Sequence, residues 1–376
     1  VIRPARRTAG TLLLALALVA AACGDEAGDE ATTPDPTGAP ATAATTGPTA
    51  GTGTVTLVAY DSFPVEGTAV NEALEAFTAE TGIEVTILSA GDTGTMLSKA
   101  ALTAGTPEGD VMWGVDSTFL SRAIEAEVFE PHTVAALDEL DPSLLAGAPN
   151  GLVTPVDSGD VCVNVDLGWF AERDLEVPAT FEDLADPAYA GLLVVQDPAT
   201  SSPGLAFLLA TVAEYGEDGW MDYWQRLVDN EVEVVSGWSE AYYERFSWAG
   251  GGPRPLVVSY GTSPPAEVIF ADPPRDDAPT GVLTATCYRQ VEYAGVLRGT
   301  DRPEEARALL DFLASASFQS TLPLDLFVYP ANTTVELPDA FVRFAVRPEV
   351  PVELEAELVG ARRNEWIDAW TELVLG

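Results

Sequence analysis

Val55-Thr-Leu-Val-Ala-Tyr60, Ile83-Glu-Val-Thr-Ile-Leu88 and Asp110-Val-Met-Trp-Gly114 are the three short apolar runs on which the fold reading turns. Two stretches of helical spacing separate them. Val70, Leu74 and Phe77 recur at the 3.6-residue period within about Thr68–Thr81, and Gly82 stops that helix. Met96–Ala104 carries the second helical pattern. Strand, helix, strand, helix, strand predicts a doubly wound α/β sheet of parallel strands.

The middle of the chain repeats the alternation. Strands are predicted at Leu192–Gln196, Val232–Val235 and Leu256–Tyr260, and helices at Gly204–Tyr215, Trp220–Val228, Pro303–Ala314 and Arg363–Leu375. No internal repeat is visible. Polar residues gather just after the strands: Asp61-Ser62, Gly91-Asp92-Thr93-Gly94, Gly114-Val115-Asp116, Gln196-Asp197 and Ser259-Tyr260-Gly261-Thr262-Ser263. Ligands of open α/β sheets sit outside the carboxyl ends of the strands. Turn and helix-cap chemistry explains any one of these clusters. Five of them, from both halves of the chain, describe a cleft between two α/β lobes.

Composition narrows the function. The 376 residues hold 59 acidic and 18 basic side chains, a net charge of −41, with Lys99 the single lysine. Nucleic-acid binding requires the opposite field. A cation would be drawn to such a surface, although net charge speaks first to solubility. Residues 1–22 read as a signal peptide, with Arg3, Arg6 and Arg7 ahead of an apolar run from Leu12 to Ala22 too short to span a bilayer. Ala20-Ala-Ala-Cys23 resembles a lipobox, which makes Cys23 the expected lipidation site. Residues 23–53 are rich in Thr, Ala, Pro and Gly and read as a disordered tether. Residues 54–376 read as the folded domain of two α/β lobes. Cys162 and Cys287 are a candidate disulfide outside the cell. With one histidine, His132, the chain offers a poor metal inventory, and no metal site is expected.

Five further segments occur in a telling order. They are Tyr60-Asp-Ser-Phe63, Gln196-Asp-Pro-Ala-Thr-Ser-Ser-Pro-Gly204, Gly237-Trp-Ser-Glu-Ala-Tyr242, Ser259-Tyr-Gly-Thr-Ser-Pro264 and Tyr329-Pro330. From about Val55 to the C-terminus the chain resembles the thiamine-binding periplasmic proteins of bacterial ABC transporters, relatives of iron- and polyamine-binding proteins. The resemblance implies a two-lobed periplasmic-binding-protein fold with the ligand cleft between lobes. It implies capture of thiamine, thiamine monophosphate or thiamine diphosphate for an ABC permease in the membrane, by a lipid-anchored protein on the outer side of the cytoplasmic membrane. It places Tyr60, Trp238 and Tyr260 at the ligand. Asp92, Thr93 and Ser201 fall at its alcohol or phosphate end. Phe327 stands where the family usually has tryptophan.

Thiamine is a flat aminopyrimidine joined to a permanent thiazolium cation. Stacking on Tyr60, Trp238 or Phe327 would bury its rings, and an aromatic face favours a cation by about 0.5–2 kcal/mol. Asp92, Asp116 or Glu292 could offset the charge. Backbone N–H groups around Ser201–Gly204, at a helix start, suit a phosphate. The protein is expected to be a monomeric receptor with no catalytic residues and no cofactor. A receptor for ferric iron, with Tyr242-Tyr243 as its paired tyrosines, or for a polyamine is the alternative. An extracellular hydrolase ranks lower, because no Gly-x-Ser-x-Gly elbow occurs and His132 sits in an acidic loop without evident partners.

Overall fold

Alternation along β1 (Gly53–Ala59) sends Val55, Leu57 and Ala59 to one core and Val58 to another. A strand covered on both faces reads as a continuous apolar run, which is why the sequence reveals it so clearly. The computed structural model describes residues 53–273 and 275–376. The leader of residues 1–22, Cys23 and nearly all of the tether lie outside the described residues. Helix α1 (Ala69–Thr81) starts after Thr68, whose N–H donates to Asn71, and ends at Gly82 in the left-handed region, φ 77°. It returns the chain to β2 (Ile83–Ser89), parallel to β1. Helix α2 (Thr93–Leu102) leads to β3 (Val111–Asp116), parallel to β1 on its other side.

Beyond this point the parallel expectation fails. After the short β4 (Phe129–Glu130), two long strands cross the molecule: β5 (Thr154–Asp166) and β9 (Thr280–Leu297). They pair with each other antiparallel, and β9 also runs antiparallel to β3. Between them in sequence lie β6 (Leu193–Gln196), β7 (Glu233–Val235) and β8 (Leu256–Tyr260). The sheet order is β2-β1-β3-β9-β5-β8-β6-β7, with β10 (Tyr329–Pro330) on β5 and β4 on β9. The outer strands keep the parallel α/β character, and the centre is antiparallel. One lobe carries β1–β3, the other β6–β8, and β5 and β9 pass through both.

Two of the predicted helices are one element, Ser202–Asp229, broken only at Gly216 with φ 69°. The C-terminal helix begins earlier than expected, at Ala356, and packs Trp366 and Trp370 into the larger core. Helix Pro303–Leu313 buries Ala306, Leu309, Leu310 and Leu313 under the first lobe. Cys162 and Cys287 form a disulfide, Cα–Cα 4.2 Å, where the β5–β9 register shifts. No helix among the described residues is long and apolar enough to cross a membrane.

Candidate ligand-binding cleft

The first wall is built at the end of β1. Tyr60 follows the last paired residue, and its ring lies against Gly114 of β3. Gly114 has a φ of 113°, and a Cβ there would strike the Tyr60 ring, so only glycine suits both backbone and neighbour. Thr93 Oγ1 donates to the Gly114 carbonyl at 2.9 Å and ties α2 to the same strand.

Asp92 caps α2 and bridges the lobes. Its Oδ1 accepts the Thr93 N–H at 2.7 Å, and its Oδ2 accepts the Trp238 N–H from the second lobe at 3.0 Å. Burial raises its pKa, while the Trp238 and Thr93 amides pull it back. Beside it the Gly94 N–H donates to the Thr200 carbonyl at 2.9 Å. A Cβ on residue 94 would come within 2.5 Å of the Ala199 carbonyl oxygen, so this approach between lobes depends on glycine. Ser239 Oγ reaches Asp61 at 3.4 Å, a further link between the walls.

Trp238 supplies the second wall. The turn Trp238–Glu240 widens into a π-helical turn, Ala241–Arg245, which sets Tyr242 flat against Trp238 with centroids 4.9 Å apart at 17°. Trp238 Nε1 donates to Ser259 Oγ at 2.9 Å, and Ser259 is hydrogen-bonded to Ser263. The indole is thus fixed in angle yet only half-buried, with Tyr260 tilted toward it at 6.5 Å. Ser201 precedes helix Ser202–Asp229 and is fully buried. Its hydroxyl, close enough to Asp92 to favour that carboxylate, makes no hydrogen bond of normal geometry.

The floor is acidic. Glu292 on β9 faces Asp157 on β5 and Asp116 on β3 in direct cross-strand register. Trp113 Nε1 donates to Glu292 Oε2 at 3.1 Å. Asp116 is buried; it accepts from Ser202 Oγ and from the Thr118 N–H, and Gln290 Nε2 donates to the same Ser202 oxygen at 2.8 Å. Burial raises the pKa of Asp116, and these hydroxyl contacts oppose the rise. Tyr60 and Tyr260 are both held well above the usual phenol range by burial and then by Glu292. Asp157 and Asp92 act on both rings as well. Tyr60, Tyr260, Asp92, Asp116, Asp157 and Glu292 therefore share one electrostatic neighbourhood.

The structure thus brings together Tyr60, Asp92, Thr93, Ser201, Trp238, Tyr260, Asp116 and Glu292. Phe327 makes no ring contact with Trp238 or Tyr260. It has a left-handed φ of 56°, and its ring meets Phe270 edge-on at 5.8 Å. The sequence reading missed Asp157, Trp113, Ser202 and Gln290. Three of these lie on β3, β5 and β9 near the crossing, and the signal that could have found them is the alternation in Val161-Cys-Val-Asn-Val165 and Val291-Glu-Tyr293. Tyr242 and Tyr243 are not a matched pair: the Tyr242 hydroxyl donates to Glu267 at 2.8 Å and the two rings stand at 87°. His132 Nε2 lies 3.0 Å from Asp311 on helix Pro303–Leu313.

Two lobes joined by crossing strands around a polar and aromatic cleft are the fold of periplasmic binding proteins, and residues 109–266 match the family model of bacterial extracellular solute-binding proteins. Within that class the chain is 29% identical over 326 residues to the thiamine-binding periplasmic protein of Escherichia coli (strain K12), covering 85% of this chain and 93% of the relative. A solved periplasmic thiamin binding protein superposes with a TM-score of 0.75 at 28% identity, over 85% of this chain and 96% of that one. Iron uptake protein A1 of Synechocystis (strain PCC 6803) is 24% identical over 280 residues, 73% of this chain and 76% of the relative.

Proposed function

We propose that this protein captures thiamine, or its mono- or diphosphate, outside the cell and delivers it to an ABC permease. The observation that carries the reading is the make-up of the cleft. Tyr60 of one lobe and Tyr260 of the other, with Trp238 tilted beside Tyr260, gather about Glu292, whose cross-strand neighbours are Asp157 and Asp116. A flat aromatic cation answers both features, since stacking buries its faces and the carboxylates offset its charge. The relatives named for thiamine cover most of the chain, which favours this ligand over iron or a polyamine. Asp92, Thr93, Ser201 and the start of helix Ser202–Asp229 are the proposed contacts for the hydroxyl or phosphate end. Phe327, paired with Phe270, is proposed to bound the ligand from the side rather than stack on it. The ligand is cargo: the protein works as a non-catalytic monomer without a resident cofactor, anchored through Cys23.

A thermal-shift panel with thiamine, its phosphates, spermidine and ferric ion tests the ligand, with mass spectrometry of whatever the purified protein retains. Stabilisation by thiamine or a thiamine phosphate is expected. A shift with ferric ion or spermidine alone would replace the reading. Intact mass of the native protein should show a diacylglyceryl adduct on residue 23, and reproducible turnover of thiamine phosphates abolished by a cleft mutation would overturn the receptor role.

A further inference from the structure

We propose that Glu292 and Asp157 hold one proton between them while the cleft is empty, and that a cationic ring seated against Glu292 expels it. Ligand capture is then coupled to proton release. The inference rests on the thiamine reading for the identity of the cation.

The geometry is that of three carboxyls side by side. Asp157 and Glu292 are direct partners across β5 and β9, and Asp116 is the partner of Glu292 across β3. Like charges opposite one another destabilise a sheet, and two carboxyls in one desolvated site cannot both ionise freely. Asp157 is 1% exposed, and its Oδ2 has no donor within the protein. A proton shared with Glu292 would supply that donor. Glu292 itself is only half-buried and lies near both Tyr60 and Tyr260.

The neighbours reinforce the proton. Burial and then Glu292's own partners, Asp157 and Asp116, push Glu292 well above the usual carboxylate range, and Trp113 opposes them weakly. Burial raises Asp157 to about 7. The groups facing the pair are Asp116 and Trp113 from β3, Tyr60 just after β1 and Tyr260 from β8, and Asp92 at the start of α2 acts on the same two tyrosines. The charge of Asp116 is also felt by Arg363 on the C-terminal helix. A cation entering in front of Glu292 replaces the proton as counter-charge, and the proton passes to water.

Calorimetry of the full protein with thiamine, in buffers of small and large ionisation heat at pH 6–8, reads the protons released. Release of about half to one proton at pH 6.5 is expected, with affinity weakening by up to about tenfold per pH unit below the titration of the pair. A neutral analogue with thiophene in place of the thiazolium should release none. Asp157→Asn should remove the release and raise affinity at pH 6 toward its pH 8 value. Glu292→Gln should weaken thiamine at least about tenfold and the neutral analogue by distinctly less. If Asp157→Asn does not fold, the proton count on the native protein decides. Thiamine binding with no net proton release and a flat pH profile would overturn this inference and leave the proposed function standing. No thiamine binding at any pH would overturn both.

Discussion

Trp224 and Trp238 make the same hydrogen bond and play different parts. Each donates its indole N–H to a hydroxyl at 2.9 Å, Trp224 to Thr211 and Trp238 to Ser259. Each also touches other aromatic rings: Trp224 meets Phe207 and Trp370 edge-on, and Trp238 stacks on Tyr242. Trp224, however, is 1% exposed inside the larger core, where helix Ser202–Asp229 meets the C-terminal helix. Trp238 keeps part of its surface open, and its backbone N–H is committed to Asp92 of the other lobe. In the core every face of the ring is used for packing. In the cleft the ring is oriented by polar contacts while part of it is left for something else to cover.

The largest effect that could break this comparison is Trp224→Ala. It should cost about 3–5 kcal/mol of stability in denaturant unfolding, from the cavity and the lost hydrogen bond to Thr211, with ligand affinity per folded molecule unchanged. A stable Trp224→Ala with weakened binding would invert the assignment. Trp238→Ala should instead weaken thiamine binding by roughly 1–3 kcal/mol, about 5- to 150-fold by calorimetry, with a smaller loss of stability. Unchanged affinity in a folded mutant would remove Trp238 from the site.

The smallest effect concerns the floor. An unfolded aspartate titrates near 3.9 and Asp157 in the fold near about 7, so between these values the folded state binds more protons. Its contribution is fully present below about pH 4 and is lost as pH rises through about 7. Asp157→Asn should therefore flatten the fall of Tm between pH 5 and 7.5. Because the proton is shared with Glu292, the change is on the order of 1 kcal/mol, about 2–3 °C. Identical pH slopes in mutant and native protein would show that Asp157 does not titrate in this range.

What the sequence disclosed follows from the same contrast. β1, β6 and β8 are sandwiched between apolar layers, so Val55–Ala59, Leu193–Val195 and Leu256–Val258 announce themselves by hydrophobicity. β5 is as deeply buried and β9 is so in large part, but they carry Asp157, Ser158, Asp160, Asn164, Gln290 and Glu292, because they face polar partners at the crossing. A rule that equates burial with apolar residues reads them as loops. The antiparallel centre was lost with them. That Tyr60, Trp238 and Tyr260 would lie near one another was legible through the order of the motifs, whereas Asp157 is defined only by register against a residue far along the chain. The aromatic identity of Phe327 is visible in sequence, but its left-handed backbone and its Phe270 partner are not.

The disulfide between residues 162 and 287 also has a mechanical meaning. The cysteines are 125 residues apart, and β6, β7, β8 and helix Ser202–Asp229 all lie in the interval they close. Tension applied to the two ends of the chain passes from β5 to β9 through the sulfur atoms and bypasses that interval. A pulled molecule would therefore pay out a contour shorter by roughly 430 Å than its reduced form, at about 3.3–3.6 Å per residue. Most of the second lobe is a loop on a taut line, and reduction alone would put it under load.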